Sequence, residues 1–315
     1  MDVQLQMFEC VISFAILVSI IFYLKTKSFF VEAEGKSFSK LLVEIVLPAM
    51  IFMQLATHQI SSSQFILILI MLLSGIITMA LSYFVARMLT TDRGKIGAFM
   101  IASSFGSSAL LGYPLIQMVF PNNPEAMTDA ILISEIGVGL PLFIFCPLVA
   151  MWFGKERQSD IKFVQILLPY LKSPVFFALI LGLIFSIFKI NPGTVVMSTM
   201  KSLAQTLGNG IGLLSCVVLG IYLKPKSFKG VILLILFSAI LEMGFQPFIT
   251  SVQASLFGVS DIHKKILIFI SSMPAAILGP VFAVRYDCAP DTASVISYSH
   301  IILALISIPI INLIF

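Results

Sequence analysis

Charge is what this sequence has least of. Aspartate, glutamate, lysine and arginine make up 11% of its 315 residues, against roughly a quarter in soluble globular chains. A chain this poor in charge cannot cover its surface in water, whereas a bilayer tolerates an apolar exterior. Histidine is scarce too, and the three present are too dispersed for a metal site. The four cysteines, Cys10, Cys146, Cys216 and Cys288, sit in or beside apolar runs without metal or redox spacing. Neither a cofactor nor a metal is expected. No basic patch interleaves with aromatics, which argues against a nucleic-acid groove. Gly208-Asn209-Gly210 lacks the lysine and the preceding strand of a phosphate loop. The start, Met1-Asp2, has no basic n-region, and the first apolar stretch runs into Lys25 and Lys27 rather than a small-residue cleavage site. It reads as a retained membrane helix, not a signal peptide.

What the chain has is apolar length. It is 59% hydrophobic, with mean hydropathy +1.07. Segments of about 20 mostly apolar residues span a bilayer, and ten are expected: Gln4–Leu24, Phe38–Thr57, Gln64–Leu89, Gly94–Phe120, Pro124–Phe153, Ser173–Phe188, Ala204–Leu223, Lys229–Ser251, His263–Tyr286 and Thr292–Phe315. Ile161–Lys172 and Thr194–Leu203 read as interfacial helices leading into the sixth and seventh. Fourteen of the nineteen lysines and arginines fall in the odd-numbered connections. Cytoplasmic loops carry that excess, so both termini are expected outside, in a multi-pass protein of the plasma membrane.

The sequence also resembles itself. Ala109-Leu-Leu-Gly-Tyr-Pro114 matches Ala276-Ile-Leu-Gly-Pro280, and Pro124-Glu125 matches Pro290-Asp291, with the prolines of each match 166 residues apart. Two five-span halves, residues 1–160 and 161–315, must then run in opposite directions. Inverted repeats with an odd span count are a transporter signature and place a site near mid-membrane. At matching places the fourth and ninth spans are interrupted, by Ser103-Ser104-Phe105-Gly106-Ser107-Ser108 with Gly112 and Pro114, and by Ser271-Ser272-Met273-Pro274 with Gly279. Proline removes a backbone donor and clashes with the preceding turn. Broken helices at that depth survive only inside protein or beside water, and their free amides attract anions. Plain proline kinks without a ligand are the alternative.

Several motifs resemble the auxin efflux carrier family of permeases, which includes plant auxin carriers and bacterial malonate and malate permeases. They are Leu47-Pro48-Ala49-Met50, Ser104-Phe105-Gly106-Ser107 with Leu111-Gly112-Tyr113-Pro114, Leu219-Gly220-Ile221-Tyr222, and Ser272-Met273-Pro274-Ala275-Ala276 with Ala283-Val284-Arg285-Tyr286. The resemblance implies an all-helical ten-span fold of two inverted repeats. Spans one, two, six and seven would form a scaffold, and spans three to five and eight to ten a mobile transport domain. Spans four and nine would cross at Gly106-Ser107 and Pro274, where a substrate carboxylate sits. Family members often carry Asn where Ser107 stands and a proline near Leu213.

Ionisable residues at membrane depth are expensive and usually functional. Glu135 lies in the fifth span, and the offset maps its neighbour Ser134 onto His300 in the tenth. Glu135 and His300 are therefore candidates for a proton-responsive pair, with Glu242 in the eighth span as a third; two unrelated packed polar residues are the alternative. Glu44 reads as near the cytoplasmic interface, and His58 and His263 as solvated flanking residues. The expected function is secondary transport of a small mono- or dicarboxylate by elevator-type alternating access, driven by protons. The substrate would be bound by Gly106, Ser107, Ser108, Gly112, Pro114, Ser271, Ser272, Pro274, Ala275 and Gly279. An anion channel or an intramembrane enzyme would be the rivals, and no enzymatic activity is expected. The expected partners are the bilayer and the carboxylate, with no nucleic acid; a homodimer through the scaffold helices is left open.

Overall fold

A computed structural model describes residues 3–58, 62–121, 123–155, 168, 170–190, 195–222 and 230–314. These form helices α1 (Val3–Thr26), α2 (32–57), α3 (Ser62–Leu89), α4 (Arg93–Ala102), α5 (Ser108–Val119), α6 (Pro124–Phe153), α7 (Pro174–Ile187), α8 (Val195–Asn209), α9 (Ile211–Tyr222), α10 (Ile232–Leu256), α11 (Asp261–Ser271), α12 (Gly279–Arg285) and α13 (Pro290–Ile314). Among the described residues six stretches are long and apolar enough to cross a membrane: Glu9–Thr26, Ala33–Thr57, Ser63–Leu89, Pro124–Phe153, Ser198–Tyr222 and Ile232–Leu256. The fourth and ninth expected spans are each split, into α4 with α5 and into α11 with α12. The sixth is a 14-residue helix. The interfacial segment expected at Ile161–Lys172 lies mostly outside the described residues, as do the 160/161 boundary and the basic residues Arg157, Lys162, Lys224, Lys226 and Lys229.

Four π-helical segments widen these helices: Leu42–Val46 in α2, Ser108–Gly112 in α5, Ile133–Gly139 in α6 and Ile240–Phe245 in α10. Each ends two residues before a proline, at Pro48, Pro114, Pro141 and Pro247. Proline inside a helix has no N–H to give and crowds the carbonyl four residues back. In α2, α6 and α10 the residue just before the proline donates to the carbonyl five back: Leu47 to Leu42, Leu140 to Glu135 and Gln246 to Leu241. The extra residue in that turn carries the crowded carbonyl aside, so the helix continues past the proline. Three of the four segments hold a glutamate: Glu44, Glu135 and Glu242.

The chain divides into two compact units, each drawing on both halves of the sequence. Unit 1 comprises residues 1–64, 113–131 and 169–223. Within it α2 packs on α7 so closely that a Cβ on Gly182 would lie 2.8 Å from Leu55 Cβ. Phe52 and Phe185 meet edge to face beside them. α1 packs on α9 at Gly220, where an added Cβ would meet Ile21 at 2.7 Å. Unit 2 comprises residues 65–112, 132–168 and 224–315. Its core gathers Phe99, Met100, Leu234, Leu241, Ala275 and Ile296. Large apolar side chains also stand outward, among them Phe65, Phe84, Phe177, Ile187, Ile240 and Ile306. In water such a surface would associate, whereas against lipid it is at home.

Near one end of unit 2, Cys288 is buried between α12 and α13, its Sγ 3.5 Å from the Gly94 carbonyl. Burial, with the charges of Asp287 and Asp92, pushes the thiol up to about 12. The thiolate is the reactive form, so from pH 6 to 9 Cys288 should resist maleimide in folded protein and react once the chain is unfolded. Labelling of native protein, followed by mass spectrometry, checks this.

Candidate functional site

The two breaks meet in unit 2. After Ala102 the chain turns through Ser103 and Ser104, and after Ser271 it runs through Ser272 and Met273. Gly106 and Ala275 then pair as an isolated antiparallel bridge. Ser107 N–H donates to the Pro274 carbonyl at 2.6 Å, and Ala276 N–H to the Phe105 carbonyl at 2.9 Å. Gly106 is required there, because a Cβ would lie 2.8 Å from the Met273 carbonyl oxygen. The half-helices flanking the bridge also interlock. A Cβ on Gly112 would meet Ile270 of α11 at 2.9 Å, and one on Gly279 would meet Ile101 of α4 at 2.9 Å. Each half-helix that follows a break thus packs on the one preceding the other break. Ala275 is fully buried, and buried Pro114 belongs to unit 1 with residues 113–131.

The serines expected around a ligand are mostly engaged. Ser103 and Ser104 donate to the Phe99 and Met100 carbonyls at 2.6 Å each. Ser271 and Ser272 donate to the Ile268 and Phe269 carbonyls at 2.9 and 2.8 Å. These hydroxyls cap the ends of α4 and α11, and a hydroxyl has one hydrogen to give. Ser108 is hydrogen-bonded to Ser134. Among these serines Ser107 keeps its hydroxyl unspent. It stands immediately before α5, whose first amides have no acceptor within the helix and present the positive end of its dipole.

Among the ionisable candidates, Glu135 is buried in the π-segment of α6. His300 faces Glu242, its Nδ1 3.4 Å from Glu242 Oε2, with both side chains fully enclosed. The residue mapping placed His300 beside the counterpart of Glu135; the packing sets it against Glu242. Two polar groups escaped the sequence reading. Asp129, in the first turns of α6, is 1% exposed and accepts from Gln64 Nε2 at 2.8 Å. A carboxylate inside an apolar stretch was the signal available for it. Ser74, Thr250 and Gln253 form a buried chain between α3 and α10: Thr250 donates to Ser74 at 2.9 Å and Ser74 to Gln253 at 3.0 Å. Nothing in their spacing marks them as partners.

Unit 1 contains a cavity of about 640 Å³. Its floor is apolar, with Met50, Met53, Ile116 and Met127, and its polar lining includes Gln54, His58, Gln117, Lys201, Gln205 and Asn209. Among the described residues no aspartate or glutamate lines it, and the fixed charge they bring is the Lys201 ammonium. His58 Nδ1 lies 2.7 Å from the Gln54 carbonyl. A carbonyl only accepts, so Nδ1 carries the hydrogen. Gln54 itself is anchored by donating to the Pro124 carbonyl at 2.6 Å.

Known proteins agree with this membrane reading. The family model described as "Membrane transport protein" matches residues 7–312. An uncharacterized transporter of Methanothermobacter thermautotrophicus is 23% identical over 304 residues, covering 96% of each chain. One of Methanocaldococcus jannaschii is 24% identical over 284 residues, covering 89% of each. With apolar helices throughout and a family match over nearly its whole length, this chain belongs to the membrane transport protein family, the auxin efflux carrier family its motifs resemble, and is a multi-pass membrane transporter.

Proposed function

We propose that the chain is a secondary transporter of a small organic anion, a mono- or dicarboxylate, bound at the crossing of the two broken helices and moved by elevator-type alternating access. The observation that carries this reading is the Gly106–Ala275 bridge. Backbone opened at that depth is costly unless it serves a ligand or a water-filled path. Here it leaves the Ser107 hydroxyl beside the start of α5, whose unpaired amides favour negative charge. With most neighbouring hydroxyls spent on backbone carbonyls, Ser107 and main-chain amides would hold the carboxylate, and Gly106, Ala275 and Pro274 would set its shape. Gly112 and Gly279 would let the half-helices approach.

The ten-span, inverted-repeat topology belongs to this proposal, as does a plasma-membrane location with both termini outside. Unit 1 would act as the scaffold and unit 2 as the travelling body. The division of the chain supports this in its main lines, since unit 1 gathers the first, second, sixth and seventh spans, although it also takes residues 113–131 of the fourth and fifth. Cysteines introduced at Asn122 and Gln158, positions outside the described residues, should label from opposite sides, Asn122 from outside. Labelling of both from one side would overturn the span count.

The cavity of unit 1 would by itself offer a carboxylate a second resting place. Its amides and the Lys201 ammonium suit an acceptor-rich anion, and its methionines suit an apolar body. Lys201→Gln should therefore raise KM about three- to tenfold, the worth of an ion pair of roughly 1 kcal/mol at a partly exposed site, with kcat kept. The central test of function is counterflow. Proteoliposomes loaded with one carboxylate should exchange it for a labelled one, and failure across mono- and dicarboxylates would remove the anion reading. Proton coupling, through Glu135, Glu242 or His300, is the drive we favour.

A further inference from the structure

A second buried polar cluster lies in unit 2, where α10 faces α13, and its hydrogen atoms can be counted. His300 Nε2 lies 2.8 Å from Ser238 Oγ. Ser238 has a single hydroxyl hydrogen and gives it to the Ile235 carbonyl at 3.0 Å. While that bond is kept, its oxygen accepts from the ring and Nε2 carries a hydrogen. In a neutral imidazole that leaves Nδ1 bare. The atom Nδ1 faces is Glu242 Oε2, at 3.4 Å. With no further hydrogen, a lone pair would oppose an ionised carboxylate inside the membrane.

The surroundings offer no relief. Among the described residues neither Glu242 oxygen nor His300 Nδ1 has a hydrogen-bond partner, and neither does Gln246 Oε1 or Ser297 Oγ, about one turn away on the same two helices. Each buried polar atom left so costs about 1–3 kcal/mol, and a buried charge more. Cys146 of α6 is within electrostatic reach of Glu242. The other described ionisable groups on the helices around this pair are Tyr298, close by on α13, Glu125, Asp129 and Glu135 on α6, and residues at helix ends: Arg93 and Lys95 on α4, Asp261 to Lys265 on α11, Arg285 on α12 and Asp291 on α13. Among the described residues no lysine or arginine is paired with Glu242 to neutralise it.

One proton resolves the arrangement. On either atom it makes a hydrogen bond between Nδ1 and Oε2, drawing in a contact that at 3.4 Å exceeds good hydrogen-bonding distance. It also leaves the pair neutral overall. We propose that Glu242 and His300 together hold one shared proton, and that this proton is the ion carried with the substrate. The second clause rests on the transport reading above; the first does not. The step balances simply. Uptake turns carboxylate, imidazole and a proton into a neutral pair by forming one O–H or N–H bond, and release breaks that bond.

Two measurements test this separately. In proteoliposomes with an imposed pH difference, Glu242→Gln and His300→Gln should still exchange labelled carboxylate, because exchange needs no net proton movement. Their accumulation ratio should fall to one. Nitrogen NMR of histidine-labelled protein needs no substrate, and His300→Gln assigns the signal. Nδ1 of His300 should show a bound or bonded proton as the pH falls, and this response should be absent in Glu242→Gln. Undiminished accumulation by Glu242→Gln would overturn the coupling, and a bare Nδ1 at every pH would overturn the shared proton. Stabilisation by sodium over choline that Glu242→Gln loses would overturn both, making the cluster a metal-cation site. If the parent protein exchanges no carboxylate, the transport reading fails while the NMR result still decides the proton.

Discussion

Gly106→Val should abolish carboxylate binding and counterflow in protein that still inserts and purifies as a single species. The first atom of any side chain at this position would lie 2.8 Å from the Met273 carbonyl oxygen and 3.2 Å from Met273 Cβ. The nearer obstacle is backbone and cannot rotate away. It can move only with the strand that holds Ser107 N–H to Pro274 and Ala276 N–H to Phe105. Forcing bulk into a packed place costs about 1–3 kcal/mol, and 2 kcal/mol is roughly a 30-fold loss. Valine, with two further carbons, should exceed that. Pro274→Ala should act more gently, by letting α11 continue its ladder into the break. Binding measured by calorimetry, beside size-exclusion profiles, separates site from fold. Parental exchange in both variants would place the substrate elsewhere.

Gly97→Val should cost the folded protein itself. Gly97 lies on α4, where an added Cβ would be 2.5 Å from Cys288 Sγ and 2.6 Å from Phe153 Cβ. Phe153 is where α6 ends, and Cys288 is buried between α12 and α13. Three segments of unit 2 would have to part together. We expect a destabilisation of about 3 kcal/mol or more, seen as a sharply lower unfolding temperature and poor recovery from detergent. Gly244→Ala is the control. Nothing lies within 4 Å of its added Cβ, and alanine favours helix by up to about 1 kcal/mol. A parental melting curve for Gly97→Val would show that these segments separate more readily than their packing implies.

These two glycines mark where the sequence was informative and where it was not. The interruption at Ser103–Ser108 and that at Ser271–Pro274 could be read directly, because serine, glycine and proline weaken a helix by local chemistry. Their pairing register, Gly106 with Ala275, could not, since it depends on how four half-helices interlock. Gly97 sits in an ordinary helical run and carries no local sign of its crowding. The serine-rich composition suggested ligand-binding hydroxyls, but the same residues cap the helices they end, and composition cannot tell the two uses apart. The prolines were visible, whereas the wide turns before them were not, because a kink and a π-segment relieve the same clash. For His300 the repeat offset described equivalence between halves. Contact with Glu242 is a matter of packing between α10 and α13, which an offset does not contain.

The bridge between Gly106 and Ala275 also has a kinetic consequence. Irregular backbone is ordinarily the first to trade its amide hydrogens with solvent, since small local openings suffice. At Ser107 and Ala276 the amide bonds tie two distant segments together, so neither can open unless four half-helices separate. In deuterated buffer these two amides, although they lie in breaks of regular structure, should exchange as slowly as the middle of a buried helix. The stretch that looks loosest along the chain would then be among the last to become deuterated.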